Sequence, residues 1–228
     1  MELIVDAMSS LGTKSTIVLD LVSLATLRLL GITRQVLTSG ATRFVVTPAM
    51  IMELQHFRGQ SRFATAHGTM HFDDGQHFMT ATTQEQLDNR KALFEEWMQC
   101  VEKNVTVLPV PELAAFDTDR RETLEKLFGR EGLESAILSL RPGSILWTDD
   151  LAVAEIAKSE LGTERVWTQA AIESLANRGL IDRSTADECH AKLLGFGFQS
   201  THFMGATNRC RLANIQRCNR CIPDTASH

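Results

Sequence analysis

The chain has no apolar run long enough to span a membrane. Its longest, Leu21 to Ile32, is interrupted by Arg28 and falls far short of the roughly 20 residues required. It has no surplus of positive charge either. Lys+Arg 23 against Asp+Glu 28 gives a formal net charge of -5, which excludes a general basic field that would hold long duplexes by phosphate neutralisation. Any nucleic-acid contact has to be local. The opening residues lack the basic-then-apolar order of a secretory signal, since Glu2 and Asp6 come before Lys14. Five cysteines cannot all pair, and reduced thiols are the simpler account. No Gly-rich phosphate loop precedes a helix, so nucleoside-triphosphate hydrolysis has no support. There is no internal repeat and no low-complexity tract. These absences lead us to expect a soluble, cytoplasmic protein without membrane contact.

What is present is an alternation of short β-like runs and amphipathic helical stretches, with 43% apolar content over 228 residues. That is enough for one main core. We expect a domain over 1–195, an insertion over about 58–83, and a C-terminal tail over 196–228. Thr16–Leu19 and Arg43–Val46 read as strands, Leu21–Leu30 as a helix stopped near Gly31, and Thr47-Pro48 as the cap and first residue of another. Asp73-Asp74-Gly75 between Thr69–Phe72 and Gln76–Thr80 signals a hairpin. Thr83 with Gln86 resembles a capping box for a long helix ending at Asn104.

Further on, Val105–Val110 reads as a strand and Pro111–Asp117 as irregular. Helices follow around Arg121–Phe128 and Leu133–Leu140, then a strand Ser144–Trp147, a helix Leu151–Leu161 and a strand Arg165–Trp167. Thr168 caps the next helix, and Ser184 with Asp187 opens the last. This order implies an α/β fold in which a parallel twisted sheet of about five strands is flanked by helices, with an inserted β-hairpin.

Two strands run out into acids: Ile17-Val18-Leu19 into Asp20, and Ile145-Leu146-Trp147 through Thr148 into Asp149 and Asp150. Ligands bind at the carboxyl ends of strands in open parallel sheets, so these run-outs can bring distant carboxylates into one crevice. Glu53 and Glu134, each in a helix, are further candidates. Converging carboxylates repel one another unless a cation sits between them, and an oxygen-only donor set suits Mg²⁺ or Mn²⁺. A divalent ion held this way serves phosphodiester hydrolysis. Taken singly, Asp20 and Asp150 read equally as helix caps, Glu53 as an exposed helix residue and Glu134 as a first-turn charge.

These motifs resemble the PIN-domain family of metal-dependent ribonucleases. Ile17-Val18-Leu19-Asp20 is similar to the family's first strand and aspartate, and Val45-Val46-Thr47-Pro48 leading to Glu53-Leu54 to its second strand and glutamate. Gly132-Leu133-Glu134-Ser135-Ala136-Ile137 is similar to its third acidic motif, and Leu146-Trp147-Thr148-Asp149-Asp150 to its fourth. The resemblance implies an endoribonuclease using Asp20, Glu53, Glu134, Asp149 and Asp150, with Mg²⁺ or Mn²⁺ on Asp20, Glu134, Asp149 and Asp150. Glu131 is the alternative third acid, and the choice between Asp149 and Asp150 stays open.

RNA is the expected substrate, with Arg58 and Arg62 as candidate contacts. Alternatives are a PIN-like module that binds RNA or protein without cutting, and a toxin paired with an antitoxin. A second copy of the chain is a further candidate partner. His67, His71 and His77 with Asp73 and Asp74 read as solvated hairpin residues rather than a second metal site. Zinc at Cys210, Cys218 and Cys221, with Cys189 or His202, is disfavoured because the Cys210 to Cys218 spacing fits no standard template. The arginines of that tail (Arg209, Arg211, Arg217, Arg220) offer a local RNA contact or a disordered end.

Overall fold

The computed structural model describes Gly12 and residues 14–40, 42–63, 67–73 and 76–198. The readings placed on Cys210, Cys218, Cys221, His202, the tail arginines and Asp74 lie outside the described residues, as do those on the side chains of His67, His71 and Asp73.

Five strands form one sheet: β1 (Thr16–Leu19), β2 (Arg43–Val46), β5 (Thr106–Val107), β6 (Ser144–Trp147) and β7 (Arg165–Val166), in the order β5-β2-β1-β6-β7. Every neighbouring pair is parallel. Helices cover both faces, so the central strands are apolar on both sides rather than alternating. On one face Ile17, Leu19, Phe44, Val46, Ile145 and Trp147 pack into the largest core cluster; on the other Val18, Val45 and Leu146 meet Leu138. The chain steps from β1 outward to β2 and β5, then returns to the opposite side of β1 with β6. The order therefore reverses between β1 and β6, the point where such sheets leave a crevice at their carboxyl ends.

The helices follow their capping chemistry. α1 (Leu21–Leu30) starts at Asp20, whose side chain and that of Ser23 form a capping box, and stops at Gly31, whose φ of 78° a side chain would disfavour. α2 (Thr33–Leu37) is a five-residue helix that the sequence reading did not anticipate; one short turn carries too little periodicity to register. α3 (Pro48–Phe63) begins after Thr47, whose hydroxyl accepts from Met50 N at 3.2 Å. The inserted hairpin, β3 (His67–Asp73) with β4 (Gln76–Thr82), is antiparallel and longer than its alternation suggested. Met70, Phe72 and Met79 are exposed on it, as is His77. α4 (Gln84–Asn104) carries the expected Thr83–Gln86 capping box.

Elsewhere boundaries shift for physical reasons. β5 spans two residues rather than Val105–Val110, because it is an edge strand followed by Pro109 and Pro111, which cannot extend a ladder. Pro111–Ala115 forms a 3₁₀ helix where an irregular stretch was expected. α5 (Thr118–Ser139) is broken at Gly129, with φ 69° and ψ 161°, so the two expected helices abut without a linker. α6 (Leu151–Leu161) is capped by Asp150. β7 stops one residue short of Trp167, and α7 (Thr168–Asn177) has no side-chain cap, so Thr168 does not cap it. The last helix, α8 (Arg183–Gly195), is capped by Asp182, which accepts from Thr185 N, rather than by Ser184. Cys189 lies inside the main core, where burial pushes its thiol up to about 11. No described helix is long and apolar enough to cross a membrane.

Candidate metal centre

β1 and β6 end in register, with Leu19 opposite Trp147, and Asp20 N donates to Trp147 O at 3.3 Å. The acids that follow both strands therefore emerge side by side. Asp20 is 4% exposed. One of its oxygens accepts from Ser23 N at 2.7 Å, which completes the cap of α1. Thr148 bonds to its carboxylate as well, while the Thr148 oxygen accepts from Asp150 N at 3.1 Å, so one threonine couples the two run-outs. Burial raises Asp20 to about 6; the Thr148 and Ser23 bonds oppose this, and the nearby charge of Asp149 adds to it.

The break at Gly129 starts a fresh helical turn at Arg130, which carries Glu131 to the same crevice. Glu131 Oε1 accepts from Leu21 N and from Ser135 Oγ, each at 3.2 Å. It is thus fastened to the residue beside Asp20. Burial pushes its carboxyl up to about 7, followed by repulsion from Asp20, with the exposed Glu53 of α3 adding a smaller contribution. Asp20, Glu131 and Glu53 therefore share one electrostatic neighbourhood although they come from three separate segments.

Glu134 has different partners. Its Oε2 accepts from Ala49 N, in the first turn of α3, and its Oε1 from Arg130 Nε, each at 3.2 Å. This buried carboxylate braces the α3 N-terminus, where a negative charge is favourable.

The adjacent aspartates differ in the same way. Both oxygens of Asp149 are engaged by Thr168: the backbone N–H donates to Oδ1 at 2.7 Å and the hydroxyl to Oδ2. The Thr168 hydroxyl oxygen in turn accepts from Trp147 Nε1 at 3.0 Å. Burial is the first cause holding the Asp149 carboxyl above the ordinary range. Asp150 uses Oδ1 to cap α6 through Val153 N at 3.0 Å.

Arg58 and Arg62 are engaged by carboxylates of α4. Arg58 donates to both oxygens of Glu95, Arg62 Nε donates to Glu95 Oε1 at 3.1 Å, and Glu102 sits 3.6 Å from Arg58. These pairs tie α3 to α4.

The residues the sequence reading undervalued are Glu131, which it named only as an alternative, and Thr168, which it took for a cap. Glu131 lies three residues before Glu134 on one helical face, so spacing alone could not separate them.

Among the described residues no three His, Cys, Asp or Glu side chains are gathered tightly enough, as they stand, to enclose an ion. The donor set nevertheless fits a hard divalent cation. It is all carboxylate, and the titration of Asp20 and Glu131 is displaced upward as expected for buried negative charges lacking a positive neighbour.

No curated protein matches this chain, and no solved structure matches it. A family described as the PIN domain associated with the TPR-GreAB-C-PIN system matches residues 18–159, more than half of the sequence. A parallel five-stranded sheet with acids at its central carboxyl ends agrees with that match, and the chain belongs to the PIN-domain family.

Proposed function

We propose that this protein is a divalent-metal-dependent endoribonuclease. The observation that carries the reading is the meeting of the buried Asp20 and the half-buried Glu131, carboxylates 111 residues apart in sequence, at the reversal point of the sheet with no cation among the described residues paired to either. Asp20, Glu131 and Asp150 would hold Mg²⁺ or Mn²⁺, with Glu53 at the exposed rim. When bound, such an ion supplies a lowered water pKa and countercharge for a phosphoryl oxygen. The chain's own residues prepare the site. Thr148 fixes the spacing between the β1 and β6 acids, the cap bonds hold one oxygen of Asp20 and one of Asp150, and Glu53 orients a water at the rim. Asp149 clamps α7 to the sheet through Thr168, and Glu134 holds α3 so that Glu53 faces the crevice.

RNA is the substrate in this reading, as the likeness to the PIN-domain ribonucleases implies, and with no global basic surface a local charge arrangement must receive the phosphodiester. The family description names TPR and GreAB-C components, and we propose a protein partner from such a system.

Incubating a labelled RNA pool with the protein, with and without EDTA, beside an Asp20→Asn variant, tests the reading. Cleavage by the wild type should disappear in both controls. Cleavage indifferent to both would remove the enzyme claim. A second reading, a module that holds RNA or protein without cutting, is favoured by the loose spacing of the acids. Titration of Mn²⁺ followed by electron paramagnetic resonance separates the two, since only the nuclease reading requires an ion lost on Asp20→Asn.

A further inference from the structure

Arg165 lies on β7, the edge strand beside β6, opposite Leu146 and therefore just upstream of the Thr148-Asp149-Asp150 run-out. Arg165 and Trp167 are two residues apart, so their side chains leave the extended segment on the same side. The guanidinium carbon sits 5.5 Å from the centre of the Trp167 ring, a cation–π distance. Asp149, Asp150 and Glu155 act on its charge, yet no described carboxylate approaches its nitrogens within 4.0 Å. Arg58, Arg62, Arg141 and Arg183 are each clasped by a carboxylate at between 2.5 and 3.0 Å. Arg165 is half-buried and its fork of N–H groups is not taken up.

Stacking occupies the flat face of a guanidinium and leaves the N–H edges in plane, the geometry that receives two phosphate oxygens at once. The crevice also needs such a group. Its carboxylates repel an approaching phosphodiester, and a fixed cation at its rim offsets that repulsion where the chain has no general basic field. Asp149 and Asp150 stand beyond ion-pair distance of the guanidinium yet near enough to act on its charge, so a phosphate it holds comes close to the β6 run-out.

We propose that Arg165 is a substrate-binding residue: held on the Trp167 ring, its guanidinium takes a backbone phosphate of single-stranded RNA and sets the neighbouring phosphodiester against the Asp20–Glu131–Asp150 carboxylates. This inference rests on the nuclease reading. It moves substrate contact from Arg58 and Arg62, on the α3–α4 side, to the opposite edge of the sheet.

Fluorescence anisotropy of a labelled single-stranded RNA with the full-length Asp20→Asn protein, in Mg²⁺ across a salt series, tests it. Adding Arg165→Gln, which keeps the stem, should weaken binding about tenfold and flatten the slope of log K against log salt by about 0.7, the loss of one phosphate contact on a single strand. Arg165→Lys should keep the slope and regain only part of the affinity, because an ammonium lacks the planar fork. Arg58→Gln should leave the slope unchanged. An unchanged slope and affinity in Arg165→Gln, with a shifted melting temperature, would mean that Arg165 is only a countercharge for Asp149 and Asp150, and would overturn the inference alone. Absence of RNA binding by the Asp20→Asn protein with Arg165 intact would overturn the inference alone, whereas RNA left uncut by the wild type in Mg²⁺ and in Mn²⁺ would overturn the nuclease reading, and this inference with it.

Discussion

Glu131→Gln should lower RNA cleavage about a thousandfold or more, whereas Glu134→Ala should first cost stability. The two glutamates sit three residues apart on one helix, but their partners differ. Glu131 shares its surroundings with Asp20 and Glu53 and is fastened to the amide beside Asp20. In the proposed nuclease, removing its charge would remove a donor to the ion, and the ion would be asked for several kcal/mol of transition-state stabilisation, at about 1.4 kcal/mol per tenfold in rate. Glu134 instead accepts from Ala49 N in the first turn of α3. Its loss leaves a buried N–H without a partner, at about 1 to 3 kcal/mol, while cleavage by the folded fraction stays within about tenfold.

The β6 acids should divide likewise. Asp150→Asn is expected to lose Mn²⁺ binding and cleavage together, and Asp149→Asn to loosen the Thr168 clamp and lower the melting temperature. Single-turnover cleavage beside urea unfolding reads both quantities. Equal loss of activity in Glu131→Gln and Glu134→Ala at unchanged stability would refute the assignment.

Much of the scaffold was legible because its signals are local. Apolar runs ending in Asp20 and Asp149-Asp150, the Thr47-Pro48 start and the Thr83–Gln86 box are readable within a few residues, and each falls where the sequence placed it. What escaped depends on distant partners. The phase of Glu131 against Glu134 is set by the backbone break at Gly129, and only the approach of Leu21 and Ala49 shows which carboxylate meets which segment. Thr168 has the composition of a cap, but Asp149 and Trp147, roughly twenty residues upstream, occupy its hydroxyl. Arg58 and Arg62 looked available because Glu95 lies on another helix. α2 was missed because five residues carry almost no period.

Those same buried acids should make the metal-free protein less stable at neutral pH than in mild acid. The folded values of Asp20 and Glu131, about 6 and about 7, lie above their ordinary 3.8 and 4.5. Between those limits the folded chain holds protons that the unfolded chain releases, so the unfolding free energy falls as pH rises from about 4.5 to 7.5. Each displacement corresponds to about 3 kcal/mol at 1.36 kcal/mol per unit; because the two groups repel each other part of this is shared, and about 4 kcal/mol is expected together. Below that window the sign reverses. Glu95, Glu112 and Asp182 are held below their ordinary range, first by the bonds from Arg58, Arg141 and Thr185 respectively, and their stabilisation is lost as pH falls through their folded values. Stability in EDTA should therefore peak near about pH 4.5.

Mn²⁺ should raise stability at pH 7.5, where the acids are ionised and can bind it, far more than at pH 5, where protons compete. Urea unfolding at both pH values, with EDTA or Mn²⁺, measures this directly. The Asp20→Asn, Glu131→Gln double variant should remove most of the slope, leaving the part that Asp149 contributes, and abolish the Mn²⁺ effect. A metal-free protein whose stability is flat or rises between pH 5 and 7.5 would show that these carboxylates do not share a buried, uncompensated site.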